Sequence, residues 1–541
     1  MKQLLNQSVF NDLCRNSFLD LPRELLLLII INCNITSKFV MHFVSKIFHN
    51  VTLDSEENRK LGISFLTCFE QNNKSNTSFL TCFRERDRIK RKYIISALAA
   101  KEGSLRILKW VREIGCCWNW CTNALAAENG HLEILKWTYQ NGCPLSEPQP
   151  FWLAAKNGNI EALKWARSFS CPWNILISNA AASNGHLDVL KWAYDNGCEL
   201  HDDNCYENAC SEAAKNGHLE VLKLARENGC PWNLKVCSNA ALNGHLEILK
   251  WARENGCPWN EETCASAAEG GHFEVLKWAR KNGCQWDRNV CSSAARNGHF
   301  EVLKWARKND CSWDNWTCSH AAAGGHFEIL KWARENGCYW NHNTCANAAA
   351  AGHLEILKWA RENGCDWDSN TCAFAAINDQ LEILKYAREN GCPWDKWACA
   401  YAAKAGHLEI LQWLRENGCP WDEWTCSRAA RAGHLEILQW ARQNGCPWDE
   451  TTCSRAASNG NLKVLQWART PCGQSSVPLE LARENGCPWN ETTCNDAAEN
   501  GHLKVLKWAI ENGCPLNKDR CIQLAKDNYN NKIVTWLENN I

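Results

Sequence analysis

Cysteine, histidine and aspartate are the residues of this chain whose types and spacing could do chemistry, and they come in a fixed order. Cys257, Cys264 and His272 set the pattern, and it returns as Cys284, Cys291 and His299. Thiolate and imidazole are zinc's usual ligands, but a zinc ion needs three or four that converge, ordinarily with one close Cys-x-x-Cys pair. Here the ligand-type residues stand at helical spacing on an apolar face, which is the pattern of core, and free Cys behaves as a small buried hydrophobe. A second set, Cys198, His201, Asp202, Asp203 and Cys205, fits no zinc spacing and reads as a lengthened loop. No phosphate-cradling Gly loop with Lys, no Gly-x-Ser-x-Gly and no His-Glu-x-x-His occurs. The expectation is a chain that performs no catalysis and needs neither cofactor nor metal.

The elements that must position these residues are copies of one unit. A Gly-His pair marks it, with the His at His131, His186, His218, His245, His272, His299, His326, His353, His407, His434 and His502. From His218 to His353 every step is 27 residues. Asn159, Gln380 and Asn461 hold the same place, and Ser104 and Tyr529 mark frayed end copies, giving about sixteen units. In the copy starting at Trp394, Asp395 can cap a first helix carrying Cys399, Ala402 and Ala403 on one face, as Asp422 and Asn260 can in theirs. A second helix runs from His407 to Asn417, burying Leu408, Leu411 and Leu414 with Ile410 and Trp413 beside them, and stops at Gly418. Neither helix is long enough to stand alone in water, so each unit must lean on its neighbours.

The run Ala-Ala-x-x-Gly-His-Leu-Glu-Ile-Leu, a further helical turn, then Asn-Gly-Cys resembles the ankyrin repeat, whose usual length is 33 residues. Each unit here is six residues shorter, which implies that the projecting hairpin shrinks to a bare loop, and Thr-Pro-Leu-His is replaced by Thr-Cys or a relative such as Ala398-Cys399. The short Cys-Pro-Trp-Asp units look most like the ankyrin-type proteins of giant DNA viruses. The resemblance implies an all-α fold, an α-solenoid of helix-turn-helix repeats over residues 94–541. It also implies that the His ties adjacent turns together by hydrogen bonds. Interruptions are expected near residues 199–205 and 468–481, where Pro471, Gly473 and Pro478 split a second helix so that the array should break or bulge.

Composition narrows the setting. With 59 basic and 60 acidic residues the net charge is -1, so no global field draws the 541-residue chain to nucleic acid or membrane. The 35 Cys recur in phase with the repeat rather than as a disulfide framework, and the longest apolar run, Leu25 to Ile31, is too short to cross a bilayer. A reduced cytoplasmic or nuclear setting follows, with the chain acting as a monomer.

Ahead of the repeats, residues 1–55 read as a small helical domain and residues 56–93 as a linker with capping helices. Leu21, Pro22, Glu24, Leu25, Leu26 and Ile29, then Val44, Lys46 and Phe48 after a short break, resemble an F-box, although Ser37-Lys38 stands where the family has an acidic-Leu pair. In that family the segment docks on the Skp-type adaptor of a cullin-RING ubiquitin ligase. The same two helices could instead cap the solenoid, whose end repeat would otherwise expose an apolar face.

Comparison among the copies separates fold from freedom. Glu355 and Lys358 hardly vary between units and suit a solvated structural face. The variation sits on the first helix, in residues flanking the Ala-Ala pair, and in a loop residue four before them that falls on the same face: Trp316 and His320, Phe374 and Ile377, Trp397, Tyr401 and Lys404, Trp424, Arg428 and Arg431, and Arg455. Residues three, four and seven apart share one helix surface, opposite the Cys-Ala-Ala stripe. In ankyrin proteins that surface lines the concave groove where partners bind, and aromatic and Arg side chains are what binding hot spots favour. The expected function is protein–protein interaction: an F-box-bearing adaptor that brings a target protein to a ligase, or a plain ankyrin scaffold. A reader of single-stranded RNA is a further alternative, opposed by Glu269, Asp496 and the neutral total.

Overall fold

The computed structural model describes residues 96–113, 117–118, 120–143, 149–168, 175–198, 208–469 and 486–541. The expected N-terminal domain and linker, and the loop near 199–205, lie outside the described residues. The chain divides into two compact units, Met1–Pro258 and Trp259–Ile541. Every regular element among the described residues is an α-helix, and the fold in each unit is an all-α repeat solenoid.

In the first unit the helices pair as Trp120–Glu128 with Leu132–Gln140, through to Leu234–Leu242 with Leu246–Glu254. In the second unit the pairs run from Glu261–Glu269 with Phe273–Lys281 to Lys518–Asp527 with Asn531–Asn540. First helices of successive repeats pack side by side along the second unit, and each second helix packs on its own first helix. Small side chains make this close approach possible. Thr425, Cys426, Ser427, Ala429 and Ala430 are buried on one first helix, and the same set recurs along the unit.

The second helix buries a different stripe from the one expected. Ile410, Leu411 and Leu414 are buried, whereas Leu408 and Trp413 are only half-buried. The reason is visible where the first position is aromatic: Phe273, Phe300 and Phe327 meet Trp305, Trp332 and Trp359 of the next second helix edge-on at 5.6, 5.6 and 5.5 Å. That position faces a neighbouring second helix rather than the core.

The return between repeats is held by one recurring unit of Arg, Cys and two Trp. Arg334 donates to the Cys338 carbonyl at 2.5 Å and its guanidinium lies 4.1 Å from the Trp340 ring centre, while Trp340 meets Trp359 at 5.6 Å. Arg388, Trp394 and Trp413 repeat the arrangement. This stack explains the Trp of the Cys-Pro-Trp-Asp turn as structural: an aromatic face satisfied by a cation that also donates to a carbonyl of the return.

The turn residues behave as the resemblance implies. His299 Nε2 lies 3.0 Å from the Glu269 carbonyl and His326 Nε2 3.0 Å from that of Arg296, each reaching back 30 residues. Asn159 and Asn461 donate to the equivalent carbonyls. Gln380 covers Gly352 but donates to the Asn378 carbonyl in its own turn. The last copy needs a correction: Asn530, not Tyr529, holds the His place, donating to the Glu499 carbonyl at 2.8 Å. Tyr529 occupies the preceding Gly place, with φ 58°, and is 88% exposed.

At the second interruption Ala468 and Arg469 remain in the helix Leu462–Arg469, so the inserted residues follow Arg469 and lie outside the described residues. Either side of them the repeat closes. The Cys487 N–H donates to the Ala468 carbonyl at 2.9 Å, as Cys446 does to Ala441, and Arg469 caps the Cys487 carbonyl at 2.7 Å beneath Trp489.

Candidate functional site

Among the described residues the thiols and imidazoles do not converge. Cys284 directs its Sγ to the Asn260 carbonyl at 3.3 Å, Cys291 pairs with Cys311, and His299 is turned to the Glu269 carbonyl. From Cys210 to Cys446 each Cys is instead half of a buried pair twenty residues apart, of which Cys237 and Cys257 lie with Sγ atoms 3.5 Å apart. The hydrogen bond that Cys291 donates to Cys311 and then burial hold the Cys291 thiol far up, and burial pushes Cys143 up to about 12. A thiol so raised is neither nucleophile nor ready ligand.

The first-helix face of the second unit is different in kind. The helices Lys396–Ala405 and Glu423–Ala432 are capped by Asp395 and Asp422, which accept the N–H groups of Trp397 and Trp424 at 3.0 and 3.1 Å. Those caps fix both indoles at the second position of their helices, so the Trp are helical residues rather than loop residues as their place before the repeat core implied. The rings of Trp397 and Trp424 stand 6.1 Å apart, and Trp397 lies 5.8 Å from Tyr401. Arg428 enters between them: its guanidinium carbon is 5.1 Å from the ring centres of Trp397 and Tyr401 and 5.8 Å from that of Trp424. Its Nε is buried with no hydrogen-bond partner.

The remaining residues of the expected face are placed around this cluster. Lys404 and Arg431 are exposed in the last turns of the same two helices, and Arg455 is half-buried on Glu450–Ser458. Burial raises the Asp496 carboxyl, and Arg455 and, more weakly, Arg431 oppose that rise. Phe374 and Ile377 are half-buried on Ser369–Ile377, the preceding first helix. Trp316 and His320 form a separate pair, 5.5 Å between ring centres, three first helices before the cluster, with Trp316 46% exposed. Burial and then Arg296 lower the His320 imidazole. The F-box-like residues Leu21, Pro22, Glu24, Leu25, Leu26, Ile29, Val44, Lys46 and Phe48 lie outside the described residues.

One residue of this face was not anticipated. Lys396 pairs with Asp422 at 2.7 Å and lies 5.9 Å from the Trp397 ring centre. Arg288 with Asp314 at 3.1 Å and Ser369 with Asp395 at 2.9 Å repeat the contact. The signal was available, since the first helical residue and the next repeat's cap stand 26 positions apart.

A family model described as ankyrin repeats in many copies matches residues 264–307, 399–442 and 426–469. Each match opens on a first-helix Cys and spans two helix pairs, so at those residues ankyrin-type repeats are matched in register with the periodicity. Among solved structures the chain is similar to the human ASB11 ankyrin repeat domain, with 18% identity over 30% of this chain and 84% of that one and a TM-score of 0.26. No curated protein matches.

Proposed function

We propose that this chain is a recruiting adaptor that performs no reaction itself, holding a partner protein on the first-helix face of its second unit. In the same reading the segment from Leu21 to Phe48 engages a Skp-type adaptor and cullin, so that the held protein is presented for ubiquitin transfer. The observation that supports partner binding is the Trp397, Tyr401, Trp424 and Arg428 cluster. Three aromatic rings and a guanidinium gathered half-buried on one helix face leave exposed aromatic and cationic area that a bound partner would cover. Nothing in the repeat requires them, because other copies place Asn343, Asn370 and Thr451 at the Trp position and fold alike. The ligase half rests on the F-box resemblance alone. Among the described residues no helix is long and apolar enough to cross a membrane.

The experiment is a pull-down of the full chain from eukaryotic cytosol beside two variants, Leu21→Ala with Pro22→Ala, and Trp397→Ala with Arg428→Gln. The expected result is loss of the Skp-type adaptor and cullin from the first variant alone and loss of a target from the second alone. Recovery of the same targets with no adaptor in any arm would make the chain a scaffold without a ligase.

A further inference from the structure

We infer that the occupant of this face is an acidic, extended protein segment whose carboxylates meet Lys404, Arg428 and Arg431 and whose apolar residues precede them over Phe374 and Ile377. The inference rests on the partner-binding reading above and adds the chemistry of the partner. Charge complementarity carries it. The Arg428 guanidinium carbon lies 5.1 Å from the ring centres of Trp397 and Tyr401 and 5.8 Å from that of Trp424, so its charge is held at this face among aromatic rings, and the donors of a guanidinium lie in its own plane, along its edge. A carboxylate accepts from that edge with the strongest geometry available to a side chain.

The carboxylates of the neighbouring helix caps are already committed. Asp395 accepts from the Trp397 N–H and the Ser369 hydroxyl, and Asp422 from the Trp424 N–H and Lys396. Arg428 itself has a buried Nε with no partner. Lys404 and Arg431 stand exposed beside it on the same face.

The face is also polarised along the unit. Asn347, Ala350, Phe374 and Ile377 supply an uncharged approach on two first helices, Lys404, Arg428 and Arg431 a basic centre on the next two, and Asp496 and Glu499 an acidic end where Arg455 is already attended. Neighbouring packed helices lie about 10 Å apart, and an extended chain advances about 3.3 Å per residue, so one repeat spans roughly three residues of occupant. The matching segment reads apolar, two residues, acidic, two residues, acidic. RNA would carry its charge along the whole face and meet Asp496 and Glu499, which disfavours it.

The test uses the full chain and fluorescein-labelled twelve-residue peptides of that pattern, read by polarisation. The probes are a Glu form, its Gln isostere and a Lys form, with an oligouridylate of equal charge as competitor. The expected result is that the Glu form binds, that the Gln form binds at least tenfold more weakly, and that Arg428→Gln and Arg431→Gln each weaken the Glu form several-fold while leaving the circular-dichroism melt unchanged. Equal binding of Glu and Gln forms, or preference for the Lys form, with sensitivity to Trp397→Ala, would overturn the acidic occupant while leaving the face a partner site. Binding insensitive to all three variants, or absent in every arm, would remove both. Stronger binding of the oligouridylate would replace the peptide by RNA.

Discussion

Gly271 and Gly283 sit one helix apart in the same left-handed conformation, φ 73° and 85°, yet a Cβ would meet different surroundings. At Gly283 nothing lies within 4 Å, whereas at Gly271 the His299 ring would be 2.4 Å away. Gly283→Ala should therefore cost about 1 kcal/mol, the strain of the left-handed backbone alone. Gly271→Ala should cost at least about 1 kcal/mol more, because the ring must move and its bond to the Glu269 carbonyl is lost. Urea melts of the two variants check this, and His299→Ala in the Gly271→Ala background should return part of the difference.

His320 gives the residue scale a pH dependence. Its folded value is lowered, so on acidification the unfolded chain takes up the proton first, and stability that is full above the unfolded value of 6.5 declines as pH falls through the folded value. Asn347 occupies the same place one repeat on and donates to the Ser319 carbonyl, so His320→Asn keeps a compatible side chain without the titration. The melting temperature of the native chain should fall relative to that variant between pH 7.5 and 5, and a constant difference would show that His320 is not held neutral.

At the scale of the element, the cap decides how firmly a first helix begins. Asp287 accepts the Asn289 N–H at 3.0 Å, while Asn260, at the same place in the preceding repeat, makes no side-chain cap bond and leaves its Oδ1 buried without a partner. The expectation that Asn260 caps its helix is thus corrected: Glu261–Glu269 starts without that bond. Asp287→Ala should cost about 1 kcal/mol and Asn260→Ala close to nothing, since its backbone carbonyl still accepts the Cys284 thiol. Denaturant midpoints of the pair would separate them, and equal losses would mean that the cap side chain is irrelevant in this fold. The exposed Lys358–Glu355 pair at 3.0 Å, repeated along the second helices, adds little by comparison.

At the scale of the molecule, stability passes from repeat to repeat, so what matters about an insertion is whether the neighbours still meet. Across residues 470–485 they do: Ala468 and Cys487 keep the bond that Ala441 and Cys446 make without any insertion. Deleting residues 470–483 would join Arg469 to Glu484 and restore the Trp-Ala-Arg-Glu-Asn-Gly-Cys order of the other copies. The shortened chain should fold and gain about 1 kcal/mol from the shorter connection closed. A lower melting temperature would show that the inserted residues support the array.

The sequence by itself determined the repeat, the two helices within it, the Gly that ends the second and the small-residue core. Each of these is a local matter: helical stripes recur every three or four residues, and a Gly with φ above zero is demanded by its own turn. It also marked which first-helix positions are free to vary. Only the tertiary structure decided that Leu408 faces a neighbouring helix, that the turn Trp is clamped by the Arg six residues before it, and that Trp397, Tyr401, Trp424 and Arg428 close into one cluster while Trp316 and His320 stand apart. The cluster closes only because Trp397 meets Trp424, 27 positions on, and whether such residues meet depends on the spacing and offset of adjacent helices, which no single helix's periodicity contains.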